Sequence, residues 1–199
     1  MENKILDLFL FNNKLKFNEI EKALKVRSNR LAYHIKNLVK KRILCKEGEY
    51  YSLAETSEYL IPYLSERKAI LPVVLVHIGN DNESFLYLRK KRPYAGKLSL
   101  PGGRIALGES IQDATKRIMK TKFNIEVNFE RINSVSLEHV KKNKKIIHSF
   151  LLIFVSASAK NIALTDVNKN KRNIIPSDYK LIKSKKGNVK INTIYSEIK

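Results

Sequence analysis

The spacing of the apolar residues changes near residue 69, and this change limits the chain to two differently built domains. Before that point apolar residues recur every three or four positions, as at Ile5 and Phe9, which predicts amphipathic helices. Beyond it they form short runs, as at residues 70–78, which predict strands. A chain of 199 residues is long enough for two domains. We therefore predict an α+β protein with domains at 1–68 and 69–199.

Net charge is the second constraint. The chain has 39 Lys and Arg against 19 Asp and Glu, a formal net charge of +20. A field of that sign attracts polyanions, above all nucleic acid. The longest apolar runs are far shorter than the ~20 residues that span a bilayer, no signal-peptide core precedes the first helix, and the single Cys45 cannot form an internal disulfide. We expect a cytoplasmic protein with no membrane partner.

Three short helices are predicted in the first domain. The first covers residues 3–11. Asn18 and Glu21 have the spacing of a capping box at the start of the second helix, and Ser28 can cap the third. The buried stripe of the third helix consists of apolar residues at helical spacing, namely Leu31, Ile35, Leu38 and Val39.

The polar face of the third helix has the residue types that read a DNA major groove. Strands at 42–46 and 50–53, with a turn at Glu47-Gly48-Glu49, predict a wing beside it, and a linking helix is expected over 54–66. Residues 22–46 contain nine Lys or Arg and no Asp or Glu. The candidate DNA contacts are Arg27, Ser28, Asn29, Arg30, Tyr33, His34, Asn37, Lys40 and Lys41.

Residues 1–68 thereby resemble the winged helix-turn-helix domains of bacterial and archaeal regulators, most clearly over residues 28–44. The resemblance implies a three-helix core with a β-wing, double-stranded DNA as partner, and a homodimer. A winged helix that contacts protein or RNA is the alternative. The uninterrupted basic face favours DNA.

A more specific pattern lies in the second domain, at residues 98–125. Pro101-Gly102-Gly103-Arg104 is followed by Glu109 and then by Arg117 in a predicted helix. This resembles the box of the Nudix family, which reads Gly, five residues, Glu, seven residues, Arg-Glu, apolar, any residue, Glu-Glu, any residue, Gly, apolar. The resemblance covers residues 70–158. It implies an α/β/α sandwich with a mixed sheet.

The departures from this box bear on activity. In register, the three glutamates with which the family holds Mg²⁺ are Ile118, Thr121 and Lys122, and the closing glycine is Asn124. Mg²⁺ requires hard oxygen ligands, so we expect no metal, no cofactor and no catalytic residues. Mg²⁺ or Mn²⁺ would be needed only if the ligands had moved, for example to Glu109 and the nearby Asp113. We instead expect Glu109 to favour the helix N-terminus and Asp113 to pair with Arg117.

A Nudix scaffold without its glutamates still implies a cleft for a phosphorylated or nucleotide-like ligand. Guanidinium groups suit phosphate oxygens, and a tyrosine can stack on a base or sugar. The candidate ligand-binding residues are Arg89, Tyr94, Lys97, Arg104 and Glu109.

The remaining elements of the second domain are predicted from alternation and turn residues. They are hairpins at 70–78 with 85–88 and at 131–140 with 146–157, a helix starting at Pro176-Ser177-Asp178, and a strand over 189–194. The second hairpin places His139 and His148 on opposite arms. Residues 159–199 form a basic extension with ten Lys or Arg.

These patterns together predict a transcription regulator whose degenerate Nudix domain senses a metabolite. Regulators that combine the two modules form a class, usually with the modules in the opposite order. The alternatives are an active Nudix-type diphosphate hydrolase with displaced metal ligands and an architectural DNA-binding protein with a Nudix dimerisation domain. Residues 1–68 contain 14 basic and 9 acidic residues, so only +5 of the +20 belongs to them. The second domain must therefore contact DNA as well or hold an anion.

Overall fold

The chain separates into two compact units, Met1–Ala69 and Ile70–Lys199. The computed structural model describes residues 1–57 and 70–194. Most of the helix predicted over 54–66 lies outside the described residues. Within the described residues, none of the helices is both long and apolar enough to cross a bilayer.

The described part of the first unit, residues 1–57, contains three helices and a three-stranded antiparallel sheet. The elements are α1 (Glu2–Leu8), β1 (Leu15–Lys16), α2 (Phe17–Leu24), α3 (Ser28–Lys40), β2 (Leu44–Glu47) and β3 (Tyr50–Leu53). The helices pack their apolar stripes into one core that contains Ile5, Ile20, Leu31 and Leu38. The sheet has the strand order β1-β3-β2.

Two predicted helix caps in this unit are wrong. The N-cap of α2 is Lys16, whose backbone N–H donates to the Glu19 carboxylate at 2.6 Å. The N-cap of α3 is Arg27, and the Ser28 hydroxyl donates to Glu21 instead of capping the helix. In the second case the left-handed Lys25 (φ 51°) ends α2 and turns the chain, so that Ser28 at the start of α3 comes within hydrogen-bond reach of Glu21. β1 was not predicted, because two residues have no periodicity.

A mixed four-stranded sheet forms the centre of the second unit, which confirms the predicted mixed sheet. Its strands are β4 (Leu71–His77), β8 (Gly102–Arg104), β9 (Asn128–Lys142) and β10 (Lys145–Ser158). They lie in the order β8-β4-β10-β9. β4 runs parallel to β10 and antiparallel to β8, and β9 runs antiparallel to β10.

Alternation along the central strands gives this sheet two apolar faces, one for each helix. Val74, Val76 and Ile153 pack with Ile118 of α4 (Ile111–Phe123). Leu75 and its neighbours on the opposite face pack with residues of α5 (Pro176–Lys183). Successive residues of a strand point to opposite faces. The unit therefore has a helix, sheet, helix layering.

The long hairpin at β9 and β10 and the helix start at Pro176 are confirmed. The predicted hairpin of 70–78 with 85–88 forms only at its turn, where Gly79 bridges Ser84 and the Phe85 N–H donates to the Ile78 carbonyl. The longer pairing does not form, because β4 lies between β8 and β10 and has no free edge. Two further two-stranded sheets use short strands: β5 (Glu83–Ser84) pairs with β11 (Thr165–Asp166), and β6 (Tyr87–Leu88) with β7 (Leu98–Ser99). The strand predicted over 189–194 is also wrong: Val189 makes a single bridge with Ile132.

Asp178 fixes α5 to the sheet. This carboxylate is buried and accepts hydrogen bonds from Ser99 Oγ at 2.9 Å and from the Leu100 backbone N–H at 2.8 Å. Burial raises its pKa to about 6 in spite of these two donors. Asp178 is not among the site residues predicted from the sequence, because its burial depends on how α5 docks.

Replacing Asp178 with Asn should stabilise the fold near neutral pH and change it little in acid. The folded-state pKa is above the ordinary value, so the folded state holds the proton more tightly than the unfolded one. The stability given by the neutral carboxyl is complete below about pH 4 and is lost as the pH rises through about 6. A shift from 3.8 to about 6 corresponds to roughly 3 kcal/mol.

Denaturant unfolding at neutral pH and below about pH 4 measures the change in the free energy of unfolding that Asp178→Asn causes. The exposed Glu130→Gln is the matched amide control. The effect of Asp178→Asn should be larger at neutral pH than in acid. An equal effect at both pH values would contradict it.

Candidate functional site

The loop between β6 and β7 carries four consecutive basic residues, 89–92. Arg89 holds this loop closed: its backbone N–H donates to the Lys97 carbonyl, and its Nε donates to the Pro93 carbonyl at 2.7 Å. The Gly96 N–H donates back to the Arg89 carbonyl. The loop is therefore a defined projection beside the sheet.

A cleft of about 680 Å³ lies between this loop, the β8 strand and the end of α4. Its apolar wall includes Val73, Leu75 and Phe150 of the sheet. No Asp or Glu is among the described residues that line it. Six cationic residues do: Arg89, Lys90, Lys91, Arg92, Arg104 and Lys122. We call this the cationic cleft.

Two residues of the Nudix-like box that remain in register, Glu109 and Arg117, join the loop before α4 to the middle of that helix. Arg117 donates from Nε and Nη2 to both oxygens of Glu109, and also to the Arg104 carbonyl at 2.9 Å. The hydrogen bonds from Arg117 lower the pKa of Glu109 to about 2. The predicted pair between Asp113 and Arg117 is wrong: Asp113 exchanges hydrogen bonds with Ser110, the N-cap of α4. Both carboxylates are therefore engaged in fixing the loop and the helix.

The three positions of the family's metal ligands hold no ligand set for Mg²⁺. Ile118 is fully buried in the core, and the Thr121 hydroxyl donates to the Arg117 carbonyl at 2.8 Å. Lys122 Nζ donates to the Gly102 carbonyl. Within residues 1–57 and 70–194 no cluster of three or more His, Cys, Asp or Glu side chains could hold a metal. These residues do not fit a divalent cation.

The electrostatics of the cleft are those of crowded cations. Partial burial lowers the pKa of Lys122, and the nearby Arg89, Lys91 and Arg117 lower it further. Like charges disfavour one another's charged forms. A bound anion would relieve this repulsion.

Two of the five predicted ligand-binding residues line the cationic cleft, and the other three do not. Arg89 and Arg104 line the cationic cleft. Tyr94 lines an adjoining pocket of about 90 Å³ with Glu138, which its hydroxyl contacts at 3.5 Å. Glu109 is held by Arg117, and Lys97 Nζ donates to the Arg172 carbonyl at 2.9 Å.

Sequence reasoning missed Lys90, Lys91, Arg92 and Lys122 as cleft residues. The signal for the first three was the basic run itself, which has no acidic residue between positions 85 and 107. Of the two histidines on the long hairpin, His148 lines the cleft and stacks on Phe150, whereas His139 contacts Ser149 at 2.8 Å.

The exposed face of α3 is the second candidate surface. Helical spacing predicts Asn29, Arg30 and Tyr33 on the outward face, and they are exposed, as are Arg27 and Lys40. Lys36 is also exposed and was missed.

The other predicted DNA contacts have partners or partial burial. Lys41 pairs with Glu2 at 2.8 Å and Ser28 with Glu21, while His34 and Asn37 are half-buried. The turn between β2 and β3 has two acidic residues, and both form ion pairs: Glu47 with Lys14 and Glu49 with Lys16. The surface that remains is basic.

No family model and no curated protein matches this chain. Among solved structures it is similar to a Nudix hydrolase from Nitrosomonas europaea, with 18% identity over 57% of this chain and 86% of that one, at a TM-score of 0.49. It is also similar to a Nudix-family hydrolase from Clostridium perfringens (19% identity, 58% and 95% coverage, TM-score 0.44). A third is the Nudix domain of Shewanella oneidensis NrtR complexed with ADP ribose (18%, 53% and 73%, TM-score 0.37). With identities and TM-scores this low, the proposals below rest on the residues of this chain.

The two glycines of the box should differ in their tolerance of a methyl group. A Cβ on Gly102 would lie 2.7 Å from Leu75 Cδ2 and 2.9 Å from the Val74 backbone oxygen, so the strands would have to separate. A Cβ on Gly103 would meet side-chain atoms of α4, with Ile118 Cγ1 at 2.9 Å, so the backbones of β8 and β4 would not have to move apart. We expect Gly102→Ala to lower the free energy of unfolding by about 1–3 kcal/mol, and Gly103→Ala by less. Urea unfolding of both variants measures this, and equal losses would contradict the close approach of β8 to β4.

Proposed function

We propose that this protein is a DNA-binding regulator whose second unit is a degenerate Nudix-type domain that binds a phosphorylated or nucleotide-like ligand. The observation that carries the proposal is the position of Lys122. Its ammonium lies on the Gly102 carbonyl at a helix position where the Nudix box has a metal-binding carboxylate. The positive charge that would contact a diphosphate is thus the ammonium of Lys122 and not a bound metal ion.

The chemistry of the cationic cleft supports a ligand with at least one phosphate group. Arginine forks bind phosphate oxygens in pairs, and lysines add point charges. The apolar wall of Val73, Leu75 and Phe150 suits the flat or aliphatic part of the same molecule. A volume of about 680 Å³ is in the usual range for a small-molecule site.

The DNA-binding half of the proposal rests on the geometry of the first unit. A three-helix core followed by a two-stranded ribbon is the arrangement of a winged helix, and α3 presents Asn29, Arg30, Tyr33 and Lys36 outward. These side chains can donate to base edges and phosphates in a major groove. We propose double-stranded DNA as the partner and a homodimer as the binding form, since paired half-sites are usual for helix-turn-helix proteins.

The two halves form a regulator only if the ligand distinguishes two states of the protein. A ligand changes DNA affinity by as much as its own affinity differs between the DNA-competent and DNA-incompetent forms. The same coupling must appear in both directions, so DNA must change the affinity for the ligand by the same factor.

Ligand binding should raise the melting temperature. Pyrophosphate, ADP and ADP-ribose are the probes, and a saturating probe should shift the midpoint by roughly 5 °C or more. Arg104→Gln and Lys122→Met should reduce the shift, because each removes a cation from the cleft. Lys180→Gln, an exposed lysine of α5 that is not among the cleft residues, is the matched control.

Two outcomes would count against a sensor. If no probe shifts the midpoint, or if the control loses as much as the cleft variants, the cleft is not a ligand site. Turnover of the same probes with Mg²⁺ or Mn²⁺, abolished by Glu109→Gln, would establish the hydrolase in its place.

DNA binding should depend steeply on salt and on the α3 face. For the tightest duplex selected from a random library, Arg30→Ala should cost about 1–3 kcal/mol if it contacts a base, and Lys36→Ala should lower the salt slope by about 1 if it contacts a phosphate. Lys4→Ala, an exposed change in α1, is the control. Fluorescence anisotropy across a salt series measures both quantities. Binding that is insensitive to salt, or unaffected by both α3 variants, would rule out this interface.

A further inference from the structure

The long hairpin extends well beyond the sheet to which it belongs. Among residues 1–57 and 70–194, β4 pairs with β10 only from Phe150 to Ser156, and residues 145–149 of β10 pair only with β9. At about 3.3 Å per residue this two-stranded segment projects roughly 15 Å. Its tip is a tight turn in which Asn143 and Lys144 both have left-handed backbone angles (φ 49° and 65°). We call residues 141–147 the basic ribbon.

The basic ribbon concentrates positive charge where the second unit has almost no acid. Lys141, Lys142, Lys144 and Lys145 are all exposed, and none of them forms an ion pair with another described residue. Glu138 is the single acidic residue between positions 131 and 158. It contacts Tyr94 in the pocket beside the cleft.

Exposed aliphatic residues accompany these lysines. The side chains of Ile146 and Ile147 are 55% and 42% exposed. Lysine on a projecting strand is a common way to keep a sheet edge soluble, but solubility gains nothing from two adjacent isoleucines. A surface with both kinds of residue suits a partner with anionic walls and an apolar floor.

We propose that the basic ribbon is a second contact with double-stranded nucleic acid, in which the lysines neutralise phosphates while the ribbon enters a groove. A B-DNA major groove is about 12 Å wide and admits a two-stranded ribbon, and thymine methyl groups offer apolar contacts there. The inference rests on the proposed DNA-binding function and adds a surface outside the first unit. It also accounts for part of the +15 charge of residues 69–199.

The first test compares charge removal at the ribbon with charge removal elsewhere. The full-length chain with Lys141, Lys142, Lys144 and Lys145 changed to Gln is titrated against a mixed-sequence duplex across a salt series. The salt slope should become shallower by about 1 for each lysine that contacts a phosphate. The control changes four other exposed lysines of the same unit to Gln, at Lys160, Lys180, Lys185 and Lys190. Equal slopes for the two variants would overturn the proposal.

A second test locates the contact directly and separates it from the α3 face. In a Cys45→Ser background, a photo-crosslinker is attached to Lys142→Cys or, as control, to Lys185→Cys. Crosslinks to the duplex from position 142 and not from 185 support the ribbon contact, and their persistence with Arg30→Ala and Lys36→Ala shows that it does not depend on α3. Absence of crosslinks from position 142, while the α3 face still binds DNA, overturns the ribbon proposal alone.

The same lysine variants measured on phosphatidylserine–phosphatidylcholine vesicles address the other polyanion. Loss of vesicle binding without loss of duplex affinity would assign the ribbon to a lipid surface and overturn the nucleic-acid proposal.

Discussion

The second unit depends on one long-range pairing, the parallel ladder between β4 and β10. It runs in register from Leu71 with Phe150 to His77 with Ser156, so it joins residues that lie 79 positions apart in sequence. Because both strands are internal to the sheet, each needs apolar residues on both faces. One face receives α4, and the other receives α5 and forms the wall of the cationic cleft. The apolar wall of the cationic cleft therefore forms only when β4 pairs with β10.

The box region contains positions that shape the loop before α4 and positions that correspond to metal ligands. Glu109 and Arg117 still fix the loop before α4, and Asn124 ends the helix in a left-handed conformation that glycine or asparagine adopts readily. The positions that correspond to the metal ligands of the box are a core residue, a helix-bonded hydroxyl and an ammonium. Lys122 lines the cleft from the end of α4 and gives it a positive charge at a position where the box has a carboxylate.

Local patterns predicted much of this from the sequence. The stripe of α3, the long hairpin and the start of α5 at Pro176 follow from periodicity and from the fixed φ of proline. Lys36 could have been predicted as well, since it is one helical turn from Tyr33. Three features could not be predicted, because they depend on contacts between distant segments. They are the partners of β4, the burial of Asp178 between α5 and the sheet, and the hydrogen bond from Lys97 to the Arg172 carbonyl. Periodicity reports which face of an element is buried, but not which element covers it.

The charge distribution gives the remaining argument for a ligand. Cations that crowd one cleft repel one another: burial lowers the pKa of Lys122, and the charges of Arg89, Lys91 and Arg117 lower it further. A fold that needed only a structural residue at this position could use a neutral one, as it does at Thr121. Six cations without a lining carboxylate among the described residues carry an electrostatic cost in the free protein that an anion would offset.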